Sequence, residues 1–137
     1  MIMTGRLEGR VAAITGSTRS IGRGIAETFL AEGARVVING RSEGKGAAAL
    51  AEVGAGDALV FHQGSATDQA AVEGLVDFAI DHFGQLDIMY NNAGIPGSLG
   101  PIDTTPYAEW TATLDVLLNG TFLGTKHAAR VMKPRRT

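Results

Sequence analysis

Residues 10–24, RVAAITGSTRSIGRG, constrain the fold most, because a strand pattern, a glycine-bearing turn and a helix pattern follow one another there without a spacer. Val11, Ala12, Ala13 and Ile14 form an apolar run of strand length, and Thr15-Gly16-Ser17-Thr18 is turn chemistry. From Ile21 onward the apolar residues fall at Ile21, Ile25, Ala26, Phe29 and Leu30, one face of a helix that Gly33 ends. A strand joined to a helix this tightly turns the helix N-terminus back onto the turn. The free N–H groups and positive dipole end of that terminus favour an anion, and Gly16 and Gly22, lacking Cβ atoms, let a pyrophosphate approach the backbone.

The same alternation continues along the chain. Residues 34–39 (ARVVIN) read as a second strand, followed by Gly40, Arg41 and Ser42, and residues 43–53 as a short Ala-rich helix. Residues 58–62 read as a third strand. Thr67 or Asp68 then caps a helix with Val72, Leu75, Val76, Ala79, Ile80 and Phe83 on one face and Gly84 at its end. Residues 86–90 (LDIMY) form a fourth strand that runs into Asn91-Asn92-Ala93-Gly94. After a Gly/Pro loop over residues 95–104, Thr105-Pro106 predicts an N-cap for a helix that extends to about residue 133. That helix carries Trp110, Leu114, Leu117, Leu118, Thr121, Phe122, Thr125, Ala129 and Met132 and stops at Pro134.

The T-G-x-x-x-S-x-G pattern of Thr15 to Gly22, with NNAG after the fourth strand, resembles the short-chain dehydrogenase/reductase family over nearly the whole chain. Ser20 stands where that family usually has a second glycine. The resemblance implies an α/β fold in one domain over residues 1–137. It is a Rossmann-like, doubly wound parallel sheet, present in part as four strands in the order 3-2-1-4 with flanking helices. It also implies a nicotinamide dinucleotide at the switch point between strands one and four. Gly16, Ser17, Arg19, Ser20, Ile21 and Gly22 would meet it at the turn, Arg41 at the end of strand two, and Asn91, Ala93 and Gly94 beneath the ribose. Ser65 takes the place of the family's usual adenine-binding aspartate and accepts a hydrogen bond without charge, so weaker adenine binding is expected. Arg41 and Arg19, with no carboxylate close by, suit a 2′-phosphate better than a 2′-hydroxyl, so NADP is expected rather than NAD.

Catalysis finds no residues here. The family's acid is a tyrosine with a lysine four residues on; four after Tyr90 is Gly94, and four after Tyr107 is Thr111. Leu117 stands where the family has a supporting asparagine, and Asn119 faces elsewhere on the helix. The family has chains of roughly 250 residues, the size of a six- or seven-stranded doubly wound domain. The expectation is therefore a cofactor-binding N-terminal part, cut before the catalytic serine and tyrosine. Its intact relative would move a hydride between NADP(H) and an alcohol or carbonyl substrate. The alternative is a non-catalytic nucleotide-binding or protein-interaction module.

Other classes lack support. A formal charge of −2 with dispersed cations gives no nucleic-acid or membrane stripe, and the basic residues Lys126 to Arg136 complement the end of a helix. With no cysteine there is neither a disulfide framework nor a thiolate metal site. His62, His82 and His127 lack metal-ligand spacing and are expected at a strand end or on helix surfaces, and no metal site is expected. Asp87, Asp103 and Asp115 are isolated carboxylates, so no glycosidase-like pair exists. Residues 1–8 do not read as a leader and no 18-residue apolar stretch occurs, so a cytoplasmic protein is expected. An open fourth strand bearing Ile88, or the long last helix, is expected to drive homo-oligomers or aggregates.

Overall fold

The computed structural model describes residues 5–136. Strand β1 (Val11–Ile14), helix α1 (Ser20–Ala31), strand β2 (Arg35–Gly40), helix α2 (Glu43–Val53), strand β3 (Leu59–Gln63), helix α3 (Gln69–Phe83) and strand β4 (Ile88–Tyr90) alternate along the chain. Helices α4 (Tyr107–Leu114) and α5 (Gly120–Arg135) follow. All four strands run parallel in the order β3-β2-β1-β4, as the family resemblance implies.

Both faces of the sheet are covered, which is why β1 and β2 read as unbroken apolar runs rather than as alternating ones. Val11, Ala13 and Val37 face Leu75, Val76 and Ala79 of α3 and Ala128 of α5. Ile14, Val36 and Ile38 face the other way, onto Ala26 of α1 and Ala49 of α2. Helix ends follow local chemistry: Asp68 Oδ1 accepts from Ala71 N at 3.0 Å to start α3, and Gly84, at φ 82°, ends it. At the opposite end of the sheet from the Gly-rich turn, the buried carboxylate of Asp87 accepts from Val11 N at 2.9 Å and Gln85 Nε2 at 2.6 Å. Its other oxygen faces the guanidinium groups of Arg10 and Arg135 at 3.6 and 3.7 Å. Asp87 thus clamps the start of β1 to the end of α5.

The last helical segment departs from the sequence reading. It is one run broken at Asp115–Asn119 by a π-helical turn, whose extra residue rotates everything beyond it. Within it the Leu117 carbonyl accepts from Thr121 Oγ1 at 3.0 Å. The buried face of α5 is accordingly Gly120, Leu123, Gly124, His127 and Ala128, while Trp110, Leu117, Leu118 and Phe122 are exposed. Small residues make part of this contact, since a Cβ at Gly124 would collide with the Asn91 side chain, and of the large residues in the expected stripe Met132 packs against the core. His127 is therefore buried, not on a helix surface. Pro134 lies inside the final turn, which ends at Arg135. Thr105 does not cap α4, because its hydroxyl donates to Pro101 O at 3.0 Å and closes the preceding turn.

Candidate functional site

The carboxyl ends of the strands open into a crevice of about 770 Å³. Its base is a polar strap that joins the strand ends where the sheet ladder stops. Asn39 Nδ2 donates to His62 O and Gly64 O at 3.1 and 3.2 Å, and Asn39 N donates to Ser17 Oγ at 3.0 Å. Ser17 Oγ donates in turn to Ile14 O at 2.6 Å. On the other side, Thr15 Oγ1 accepts from Asn92 N and Ala93 N at 3.1 and 3.0 Å. Asn92 Nδ2 donates to Thr15 O and Gly16 O at 3.1 and 3.0 Å. Thr15, Ser17 and Asn39 are buried, so β3, β2, β1 and β4 are tied in sequence by satisfied polar groups.

The turn at the crevice mouth is packed too closely for a side chain at either of two glycines. Gly16 has φ 60°, and a Cβ there would lie 2.8 Å from Ala93 Cα. A Cβ at Gly22 would lie 2.5 Å from Asn92 Nδ2 and 2.6 Å from Gly16 O, so its absence brings α1 against the turn. Helices α2 and α3 begin with side-chain caps from Ser42 and Asp68, whereas α1 begins at Arg19 with none. Its first residues, Ser20, Ile21 and Gly22, line the crevice with no side-chain cap on their N–H groups. Ser20 holds φ +52°, a left-handed conformation that suits glycine better than serine. Among the described residues three cations, Arg19, Arg41 and Lys45, line the crevice, and no carboxylate does.

The short chain dehydrogenase family profile matches residues 10–137. The chain belongs to that family. It is 43% identical over 131 residues to an NADP-dependent (R)-specific alcohol dehydrogenase of Lentilactobacillus kefiri, covering 96% of this chain and 52% of that one. It is 36% identical over 128 residues to glucose 1-dehydrogenase 2 of Bacillus subtilis (strain 168), covering 92% of this chain and 50% of that one. A crystal structure of a short-chain dehydrogenase/reductase, a glucose/ribitol dehydrogenase from Brucella melitensis, superposes with a TM-score of 0.87 at 29% identity. That likeness covers 94% of this chain and 54% of the other. The chain spans about half the length of the relatives it matches. Its short-chain dehydrogenase relatives are oxidoreductases that use a nicotinamide dinucleotide.

Within the short-chain dehydrogenase frame, Gly16, Arg19, Ser20, Ile21, Gly22, Arg41, Ser65, Ala93 and Gly94 line the crevice. Ser17 and Asn91 lie beside the crevice lining rather than in it. Ser17 is buried and both hydrogen-bonding capacities of its hydroxyl are used in the strap. Asn91 turns away beneath α5, where Nδ2 donates to Thr125 Oγ1 at 3.3 Å; its neighbour Asn92 lines the crevice instead. Ser65 Oγ accepts from Thr67 N at 3.3 Å and lies 2.9 Å from Thr67 Oγ1, leaving it engaged within its own turn. Leu117 sits against Gly94, with its Cδ2 3.5 Å from where a Cβ would be, while Asn119 donates outward to Asp115 Oδ1 at 3.0 Å. Lys45 and Asn92 were missed by sequence reasoning. Lys45 was legible in principle, one helical turn after the cap residue Ser42, and Asn92 by the strand alternation that turns its neighbour away.

Among the described residues no group of three His, Asp or Glu side chains is placed to hold a metal, and no helix is long and apolar enough to cross a membrane. Burial lowers the pKa of His62, whose ring lies against Phe78 with centroids 5.4 Å apart and whose Nδ1 has no partner.

Proposed function

We propose that the crevice binds NADP(H) and that this chain is the cofactor-binding part of a short-chain oxidoreductase acting on an alcohol or carbonyl substrate. The observation that carries the reading is the charge of the crevice: three cations and no carboxylate among its lining residues. A carboxylate at the end of β2 would accept from a ribose 2′-hydroxyl and repel a 2′-phosphate, whereas guanidinium groups attract that phosphate. The cofactor fits the rest of the site on the same terms. The uncapped start of α1 and the missing Cβ atoms of Gly16 and Gly22 suit its pyrophosphate, and Asn92, Ala93 and Gly94 suit its ribose. The dinucleotide, when bound, supplies the hydride donor or acceptor.

Proton transfer to or from the substrate needs a group that these 137 residues do not offer, since no tyrosine is followed by a lysine four residues on. The chain alone is therefore read as binding without turnover. Fluorescence titration with NADPH and, in parallel, NADH tests the reading. Saturation at lower concentration with NADPH supports it; equal affinity overturns the preference, and no saturation with either overturns the site. The open edge of β4 is also read as a route to self-association, expected as oligomers in sedimentation at tens of micromolar.

A further inference from the structure

Lys45 stands out among the cations of this crevice because no family motif points to it. It is the third residue of α2, and its own N–H donates to the cap residue Ser42 at 3.3 Å, which fixes the first turn against the end of β2. Arg41 precedes that cap, and its carbonyl accepts from Gln63 Nε2 at 3.0 Å, so the backbone carrying Arg41 is tied to β3. The two cations thus sit on one short, braced segment, Arg41 in the turn and Lys45 in the helix, and Arg19 at the start of α1 lines the same crevice.

The neighbouring charges leave Lys45 available. Glu52, on the same helix, is held by Arg23, which also takes Glu27 at 2.8 Å. Among the described residues no carboxylate lies within ion-pair distance of Lys45, Arg41 or Arg19, although Arg10, Arg23, Arg130 and Arg135 all have acidic partners. Three like charges gathered around one opening without a counter-charge repel one another, and a dianionic group between them relieves that repulsion.

We propose that Lys45 is a specificity-determining residue, a third cation that reads the ribose 2′-phosphate from α2 beside Arg41. This rests on the NADP(H) reading of the crevice and adds to it a residue and a direction of approach. Lys45, a flexible point charge, complements the fixed fork of Arg41, so its contribution is electrostatic and sensitive to salt.

The test is titration of the 137-residue chain and of its K45Q, K45R and R41Q variants with NADPH and NADH, at low and at high salt. K45Q is expected to weaken NADPH about three- to tenfold and to leave NADH within about twofold. K45R should retain wild-type NADPH affinity, and the K45Q deficit should shrink at high salt. Circular dichroism confirms that each variant folds, which an exposed lysine-to-glutamine change should permit. If R41Q loses NADPH affinity while K45Q does not, the role of Lys45 is overturned and the cofactor reading stands. If K45Q weakens both dinucleotides equally, its effect is general and the specificity role is overturned. If the unaltered chain binds neither, the cofactor reading falls and this inference falls with it.

Discussion

Gly22 and Gly24 lie on the same helix, two residues apart, and the structure assigns opposite consequences to the same substitution. At Gly24, which is exposed, a Cβ meets nothing within 4 Å. Replacing it with alanine removes the conformational cost of a glycine in a helix, a gain of about 1 kcal/mol. At Gly22 the helical gain is at most the same, but the new methyl lies 2.6 Å from Gly16 O and 2.8 Å from Ser17 Cα. Those are backbone atoms of a turn held by the polar strap and yield little. The third neighbour, Asn92 Nδ2 at 2.5 Å, is held by its bonds to Thr15 O and Gly16 O. Overpacking at such a place costs about 3 kcal/mol, the upper part of the usual range. G22A should therefore lose about 2 kcal/mol, G24A should gain about 1, and the pair should differ by about 3 kcal/mol. Urea unfolding followed by circular dichroism resolves a difference of that size, provided the slope is unchanged between variants. Equal destabilisation by both substitutions would refute the reasoning, and so would a G22A variant as stable as the parent chain.

Three other outcomes are expected. S20G should raise stability by about 1 kcal/mol, read as a higher urea midpoint, because Ser20 holds φ +52° at a cost that glycine does not bear. D87A should cost about 2–3 kcal/mol in the same assay, since it leaves Val11 N–H buried without its acceptor and two guanidinium groups without their carboxylate. For His62 the folded pKa is lowered by burial, so below the ordinary value of about 6.5 the unfolded chain takes up a proton that the folded chain resists. His62 thus contributes a loss of stability as pH falls through that value and none above it; comparison of urea midpoints at about pH 7.5 and 5.5 should show a smaller drop for H62Q than for the parent.

The doubly wound sheet was legible because its strands carry their burial in their composition. Val11 to Ile14 and Val36 to Ile38 are apolar on both faces, and a strand covered on both sides has no other reading. The turn at Gly16 was legible for a related reason, since a required positive φ and a close approach leave a mark in the residue type. The last helix was not, because its period is interrupted. A π-helical turn leaves no compositional signature, and beyond it a large residue such as Phe122 is exposed while Gly120 and Gly124 make the contact. Glycine at a helix–sheet contact reads in sequence as a weak helix former, and its packing role appears only when Asn91 is seen against it.

Ser17 and Asn91 each lie beside a residue that lines the crevice, but their side chains bond elsewhere, Ser17 to Ile14 O and Asn39 N and Asn91 to Thr125 of α5. The strap through Asn39, Ser17, Thr15 and Asn92 crosses the sheet where the strands have no further ladder bonds to exchange. With the donors and acceptors of that strap paired internally, the spacing of the strand ends is set before any ligand arrives, and the rest of the crevice lining includes the uncapped start of α1, glycines, hydroxyl and apolar side chains and three cations. An anionic ligand then meets a site whose polar cost of assembly was met in folding. For that reason a substitution in the strap, at Ser17 or Thr15, is expected to act on the width of the crevice for every ligand alike, whereas on the proposed NADP(H) reading one at Arg41 or Lys45 is expected to act on the choice between ligands.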